Sequence, residues 1–147
     1  FNSAGLGWVA GMTNAVCAEY IAAPASECAA VFLPHVLQYY GGGSETTREL
    51  FIDVAEALGC AGDGTEDVVD ACVLATARLV ADLKLPETLR ELTARGKLRM
   101  HKKEIPRLAL RALRDTAAVT AARSATLGEV ESLFFCSWDT PLSKESC

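Results

Sequence analysis

The residues best suited to chemistry are few and widely spaced. The chain has two histidines, His35 and His101, which lie far apart in sequence. It also has six cysteines, at positions 17, 28, 60, 72, 136 and 147. None of the cysteines forms a CxxC pair, and no cysteine and histidine grouping has the spacing of a zinc site. We therefore predict mostly buried free thiols, with disulfides or one reactive thiol as the alternative.

The sequence offers no standard nucleophile. It has no Ser-His-Asp order and no nucleophile elbow, and Cys17 and Cys28 have no evident activating base. The neighbouring carboxylates are typical of helix starts and not of acid–base pairs: Glu66 with Asp67, and Glu129 with Glu131.

Charge is unevenly distributed along the chain. The net charge is −5, yet residues 81–147 hold twelve bases against nine acids. The bases concentrate between Arg90 and Arg114, with His101 among them. Because aromatic residues are not interleaved there and the whole chain is acidic, we predict no nucleic-acid binding. The basic run favours a solvated face, and a site for an anionic small molecule remains the alternative.

Composition indicates one helical domain that does not enter a membrane. Half of the 147 residues are hydrophobic, and alanine and leucine supply much of that fraction. The most apolar stretch, residues 22–37, is interrupted by Pro24, Glu27, Pro34 and His35. Because the cysteines are expected to be mostly free thiols, we expect a reducing, cytoplasmic location; a signal peptide is not evident at Phe1.

Glycine and proline residues, which tend to begin or end helices, divide the chain into about seven predicted helices. Residues 5–22 are small and apolar, which predicts a central, buried helix. Pro24 fits the first turn of a second helix that runs to Tyr40, and Pro34 should kink or split it.

Later helices carry capping signals. Ser44 and Thr65 are predicted N-caps, and Thr126 with Glu129 matches a capping box. On the fourth helix a stripe of apolar residues steps along one face: Val68, Cys72, Ala75, Leu79 and Leu83. We predict an all-α fold, an irregular multi-helix array, with residues 1–147 forming one domain and residues 139–147 a polar, frayed tail.

Three segments, in this order of elements, resemble the iron-containing alcohol dehydrogenase family. Residues 24–37 read PASECAAVFLPHVL, similar to the family's P-H turn and the helix ending near L-P-H-V. At the turn the sequence is closest to the maleylacetate reductase branch, which reads P-H-A-E-T-H-A. Residues 51–59 (FIDVAEALG) and 85–92 (LPETLREL) resemble segments further along. The resemblance runs from residue 5 to about residue 135, and it implies the family's C-terminal helical domain.

In this family, one aspartate and three histidines hold a metal ion that polarises the substrate oxygen. The resemblance places the H-x-x-x-H pair on Ala10 and Asn14, or one residue later on Gly11 and Ala15, and the turn histidine on Ala25. The family's aspartate and nucleotide domain would precede this sequence. We therefore expect no metal site and no cofactor, with NAD(P) relevant only if a nucleotide domain is supplied elsewhere.

A pocket can remain where the family's metal site is lost, and the resemblance suggests which residues would line that pocket. Three are catalytic candidates: Asn14 as a hydrogen-bond donor to a carbonyl, Glu27 as an acid or base, and His35 as a proton shuttle. The alternatives are a helix contact for Asn14, a helix-dipole carboxylate for Glu27, and a core position for His35.

Three more residues are candidates for substrate binding: Trp8, Tyr20 and Arg123. Plain core packing is the alternative for Trp8, and Tyr20 and Arg123 are weaker candidates on similar grounds.

Three functions follow as hypotheses. The first is a metal-free, repurposed enzyme that guides a non-redox step on a small organic substrate, such as isomerisation, cyclisation or elimination. The second is the C-terminal part of a maleylacetate reductase-like oxidoreductase, and the third is a non-catalytic binding or assembly module. A homodimer is compatible with all three, because the family's enzymes commonly self-associate.

Overall fold

The computed structural model describes residues 6–61 and 67–144, and in that part it is helical without a strand. Eight α-helices follow one another: α1 (Gly7–Glu19), α2 (Ala25–Gly41), α3 (Glu45–Leu58), α4 (Val68–Asp82), α5 (Leu89–Ala94), α6 (Ile105–Leu113), α7 (Thr116–Val119) and α8 (Leu127–Asp139). Two 3-10 turns lie at Lys102–Glu104 and Leu142–Lys144. The predicted all-α array is confirmed, and the short helix α7 is an addition to it.

Helix α1 lies at the centre, as predicted, but one of its faces is open. It packs against α2, α6 and α7, and Trp8, Met12 and Val16 are at most 1% exposed. Gly11 faces α6, where a Cβ atom would make an ordinary van der Waals contact of 3.5 Å with the carbonyl oxygen of Ala112. The face opposite Trp8, Met12 and Val16 carries Asn14, which is exposed.

Helix α2 runs unbroken through Pro34, so the predicted split does not occur. Pro34 is buried inside the helix, and Pro24 is the N-cap, one residue before the predicted first turn. The helix ends where Gly41 meets α4. A Cβ atom on Gly41 would lie 2.1 Å from Cγ1 of Val69, so only glycine permits this contact.

Two hydrophobic clusters make up the core. The larger one joins α1, α2, α5, α6 and α8. The smaller one joins α3, α4 and the last 3-10 turn, and includes Phe51, Cys72 and Leu142. Leu142 is only 8% exposed, so the tail predicted as frayed from residue 139 is packed at this point. Residues 145–147 lie outside the described part.

The capping predictions have mixed outcomes. Ser44 accepts a hydrogen bond from the Thr47 amide, and Thr126 forms the expected capping box with Glu129. The predicted cap Thr65 lies outside the described residues, and Asp67 caps α4 instead. None of the helices described is both long and apolar enough to cross a membrane.

Candidate functional site

The six predicted site residues fall in three places. His35 and Arg123 line one cavity between α2 and α8. Tyr20 lines a second pocket beside the chain segment 96–99, and Glu27 pairs with a lysine there. Asn14 and Trp8 belong to neither. Among the described residues, the structure thus brings His35 and Arg123 to one cavity and places the other four candidates elsewhere.

The α2–α8 cavity has a volume of about 520 Å³, within the range of small-molecule sites. Helix α2 contributes His35, Gln38 and Tyr39, three residues on one helical face. Helix α8 contributes residues 128, 129, 132, 133 and 136, which also repeat at helical spacing. The cavity therefore runs as a groove along both helices.

Arg123 stands at the end of this cavity near the start of α8. Its Nη1 donates to the carbonyl oxygen of Tyr39 at 2.8 Å, and its guanidinium lies over the Tyr39 ring, 4.1 Å from the centroid. Its Nη2 is 3.4 Å from Oε1 of Glu129. These contacts fix one cationic group with the π face of a tyrosine behind it.

Two hydrogen bonds from other helices hold the loop that carries Arg123. The indole Nε1 of Trp8 donates to the Arg123 carbonyl at 2.7 Å. The hydroxyl of Tyr39 donates to the carbonyl of Ser124 at 2.7 Å, and burial raises the pKa of this phenol. Trp8 thus shapes the site from the core, and at 1% exposure it does not face the cavity.

Glu129 is held as a carboxylate by the start of its own helix. Its Oε2 accepts from the amide and the hydroxyl of Thr126, both at 2.8 Å. These bonds, the amide first, lower the pKa of Glu129. The carboxylate of Glu129 therefore interacts mainly with Thr126, and its contact with Arg123 is longer than those two hydrogen bonds.

His35 borders the cavity as a buried, neutral imidazole. It is 3% exposed, and burial lowers its pKa from 6.5 to about 4, while the Thr140 backbone acts weakly in the opposite direction. At neutral pH the ring is therefore uncharged, and a nitrogen can accept a proton or a hydrogen bond. This is compatible with the predicted proton shuttle and equally with a core histidine.

The second pocket, about 380 Å³, is bordered by Tyr20, Lys97 and Arg99. Burial, followed by Glu104, raises the pKa of Tyr20 to about 12, so the phenol keeps its proton. Glu27 binds Nζ of Lys97 at 2.5 Å through Oε1. Glu27 lies in the first turn of α2, where the helix-dipole alternative expects a carboxylate. Its ion pair also joins α2 to the basic segment.

Asn14 faces outwards from α1. Its Nδ2 donates to Oδ2 of Asp115 at 3.2 Å. In the two registers considered for the family's histidine pair, Ala10 and Asn14 are half-buried and exposed, respectively, whereas Gly11 and Ala15 are buried.

These positions do not fit a metal ion. Ala10 and Ala25 have no donor atoms, and Asn14 offers only a neutral amide that is already bonded to Asp115. Across residues 6–61 and 67–144, histidine, cysteine, aspartate and glutamate side chains nowhere gather in a group of three or more that could hold a metal.

Of the residues that line the cavity, sequence reasoning assigned only His35 and Arg123 to a site, and Gln38, Tyr39 and Cys136 are among those it missed. The spacing of His35 and Tyr39, one helical turn apart, was the available signal. Glu129 was correctly assigned to a helix start, but the position of that helix start beside α2 depends on tertiary packing. Cys136 is exposed, unlike the buried Cys28, Cys60 and Cys72.

Comparison with known proteins supports the resemblance. Residues 1–138 match the family described as "Fe-containing alcohol dehydrogenase family, C-terminal". The chain is 33% identical over 140 residues to lactaldehyde reductase of Escherichia coli (strain K12), covering 94% of the chain and 34% of that protein. It is also 33% identical to 1,3-propanediol dehydrogenase of Citrobacter freundii, covering 91% of the chain and 33% of that protein.

A solved structure shows the same fold. An alcohol dehydrogenase from Oenococcus oeni superposes with a TM-score of 0.79 at 25% identity, covering 94% of this chain and 34% of that one. The chain therefore spans about a third of the length of the relatives it matches. The maleylacetate reductase branch stays a prediction.

Proposed function

Because the chain belongs to the iron-containing alcohol dehydrogenase family, as its C-terminal helical domain, we propose that it is a member that works without a catalytic metal. Its role is to bind a small organic molecule in the α2–α8 cavity and to guide a non-redox step on it. The observation that carries this proposal is the residue set Ala10, Asn14 and Ala25 at the positions where the family resemblance expects histidine ligands.

The proposed chemistry rests on His35 and Arg123. The neutral imidazole of His35 accepts a proton from a carbon acid of the bound molecule and returns it to another atom of the same molecule. Arg123 holds an anionic oxygen of the substrate and so fixes the position of the carbon acid relative to His35. Such a transfer is balanced within one substrate and amounts to an isomerisation.

Metal binding tests the first half of the proposal. We expect the wild-type chain to retain less than one equivalent of Fe²⁺ or Zn²⁺ after dialysis at micromolar metal, as measured by elemental analysis. The triple variant Ala10→His/Asn14→His/Ala25→His introduces three imidazoles at one set of the positions where the resemblance expects them, and should retain about one equivalent.

The matched control is Gly11→His/Ala15→His/Ala25→His, which places the histidines in the buried register. This control should not gain the metal site. One tightly bound equivalent of iron or zinc in the wild-type protein would overturn the metal-free proposal.

A second function is favoured by the names of the relatives. Lactaldehyde reductase and 1,3-propanediol dehydrogenase are oxidoreductases, and each is about three times as long as this chain. This chain would then serve as the helical part of an NAD(P)-dependent enzyme. Intact mass of the protein from its native source distinguishes the two: a mass near 15.6 kDa favours the first function, and a much larger chain that reduces an aldehyde with NAD(P)H establishes the second.

A further inference from the structure

We propose that the α2–α8 cavity selects an elongated, largely apolar monocarboxylate, with the carboxylate at Arg123 and the apolar body lying along α8 towards Cys136. This inference rests on the proposed function, since it names the class of molecule that the same cavity would take.

The shape of the cavity argues for an elongated ligand. From Gly128 to Cys136 its wall follows about two turns of α8, a length of about 12 Å at 1.5 Å per residue. Carbon–carbon bonds of about 1.5 Å make an extended ten-carbon chain about 11 Å long. Leu133 forms the buried part of this wall and is 7% exposed.

The charge pattern argues for a carboxylate at one end only. Among the described lining residues, Arg123 is the one permanent cation. A guanidinium has five N–H donors, and contacts to Tyr39 and Glu129 use two of them here. The remaining donors can bind a carboxylate in the planar, forked geometry that arginine prefers.

Glu129 is the group that opposes an anion, and its position limits this effect. Its Oε2 is engaged by the Thr126 cap, and its Oε1 lies 3.4 Å from Arg123. The incoming carboxylate therefore competes for an ion pair that is long and partly exposed. This makes Glu129 a residue that weakens anion binding without preventing it.

The two charged residues give a test with opposite signs. Binding of decanoate and of 1-decanol is measured by titration calorimetry, with the uncharged alcohol as the probe for apolar binding alone. Arg123→Gln should weaken decanoate binding at least tenfold. Glu129→Gln keeps the capping box, which accepts glutamine, and should strengthen decanoate binding two- to fivefold. Neither variant should change decanol binding more than twofold.

Alkylation of Cys136 shows where the probe binds. Its thiol lines the apolar end of the groove and is exposed, so bound decanoate should slow its alkylation by iodoacetamide several-fold, measured by peptide mass spectrometry.

A second pair of variants tests the same end of the groove by filling it. Cys136→Trp fills that end and should weaken binding of both probes. Phe135→Trp adds bulk on the same helix at a residue that does not line the cavity, and should leave both affinities unchanged.

The outcomes separate the inference from the function beneath it. If both probes protect Cys136 but the Arg123 and Glu129 variants bind decanoate like the wild type, the carboxylate assignment is wrong and an organic-ligand site remains. If neither probe protects Cys136 up to the solubility limit of decanol, the inferred class of ligand is wrong, and the proposed function is decided separately by the metal and intact-mass measurements described above.

Discussion

At the scale of single residues, the buried imidazole of His35 couples folding to pH. Its pKa is about 4 in the folded protein against an ordinary value of 6.5, so below pH 6.5 the unfolded chain binds the extra proton. Stability from this group is therefore complete above pH 6.5 and is lost as pH falls towards 4. The shift corresponds to about 3 kcal/mol. We expect urea denaturation of His35→Gln to show a correspondingly weaker dependence on pH over that window.

The exposed His101 provides the control for this measurement. His101→Gln should keep the wild-type dependence between pH 6.5 and 4, because this side chain stays exposed in the folded protein. Carboxylates such as Asp67 and Glu129, whose pKa values are lowered, contribute equally to the pH dependence of all three proteins. Equal slopes for His35→Gln and the wild type would show that the imidazole is not held neutral by burial.

Residue types alone did not assemble the site. They singled out His35 and Arg123, which share a cavity, and also Asn14, which does not. Nothing in the sequence shows that the loop before α8 folds back onto Tyr39, since that contact joins residues 84 positions apart. The chemical groups of single residues can be read from the sequence, but which distant residues meet in one site depends on tertiary packing.

At the scale of the helices, the close contact of α2 with α4 depends on the missing side chain of Gly41. A methyl group there would lie 2.1 Å from Cγ1 of the stiff, β-branched Val69. Gly41→Ala should therefore lower the free energy of unfolding by about 1–3 kcal/mol, as overpacking does, in denaturation monitored by circular dichroism.

Gly128 is the matched control, because it lies in α8 with no atom within 4 Å of an added Cβ. Gly128→Ala should be neutral or stabilise the protein by up to about 1 kcal/mol through helix propensity. A Gly41→Ala protein as stable as the Gly128→Ala protein would contradict the close approach of α2 and α4.

Helix α4 shows why element positions were predictable and their faces were not. Of the apolar stripe noted on one face, Cys72 is buried, but Leu79 and Leu83 are 52% and 62% exposed. The buried face also carries Val69, Val73 and Val80, which lie outside that stripe. Both faces of this helix are apolar, so periodicity cannot choose between them, and its neighbours α2 and α3 decide. Caps such as Ser44 and Thr126, by contrast, act within one turn and were predicted correctly.

At the scale of the whole molecule, the last described residues close the smaller hydrophobic cluster. Leu142 is 8% exposed and packs with α4 residues in that cluster. Leu142→Ala should cost about 2–3 kcal/mol of stability. Leu50→Ala, at a side chain 59% exposed, should change stability by less than about 0.5 kcal/mol. Equal effects of the two variants in denaturant titrations would mean that the tail is frayed after all.

The bond from the Trp8 indole to the Arg123 carbonyl joins positions 115 residues apart, and this has a consequence for synthesis. On a ribosome adding about 5–20 residues per second, the indole waits roughly 6–23 s for its acceptor to be translated. Until then the first helix carries a tryptophan with neither its hydrogen-bond acceptor nor its full set of packing neighbours. Helix α1 therefore stays incompletely packed while the residues between Trp8 and Arg123 are synthesised, and chaperones that recognise apolar segments can bind it during that time.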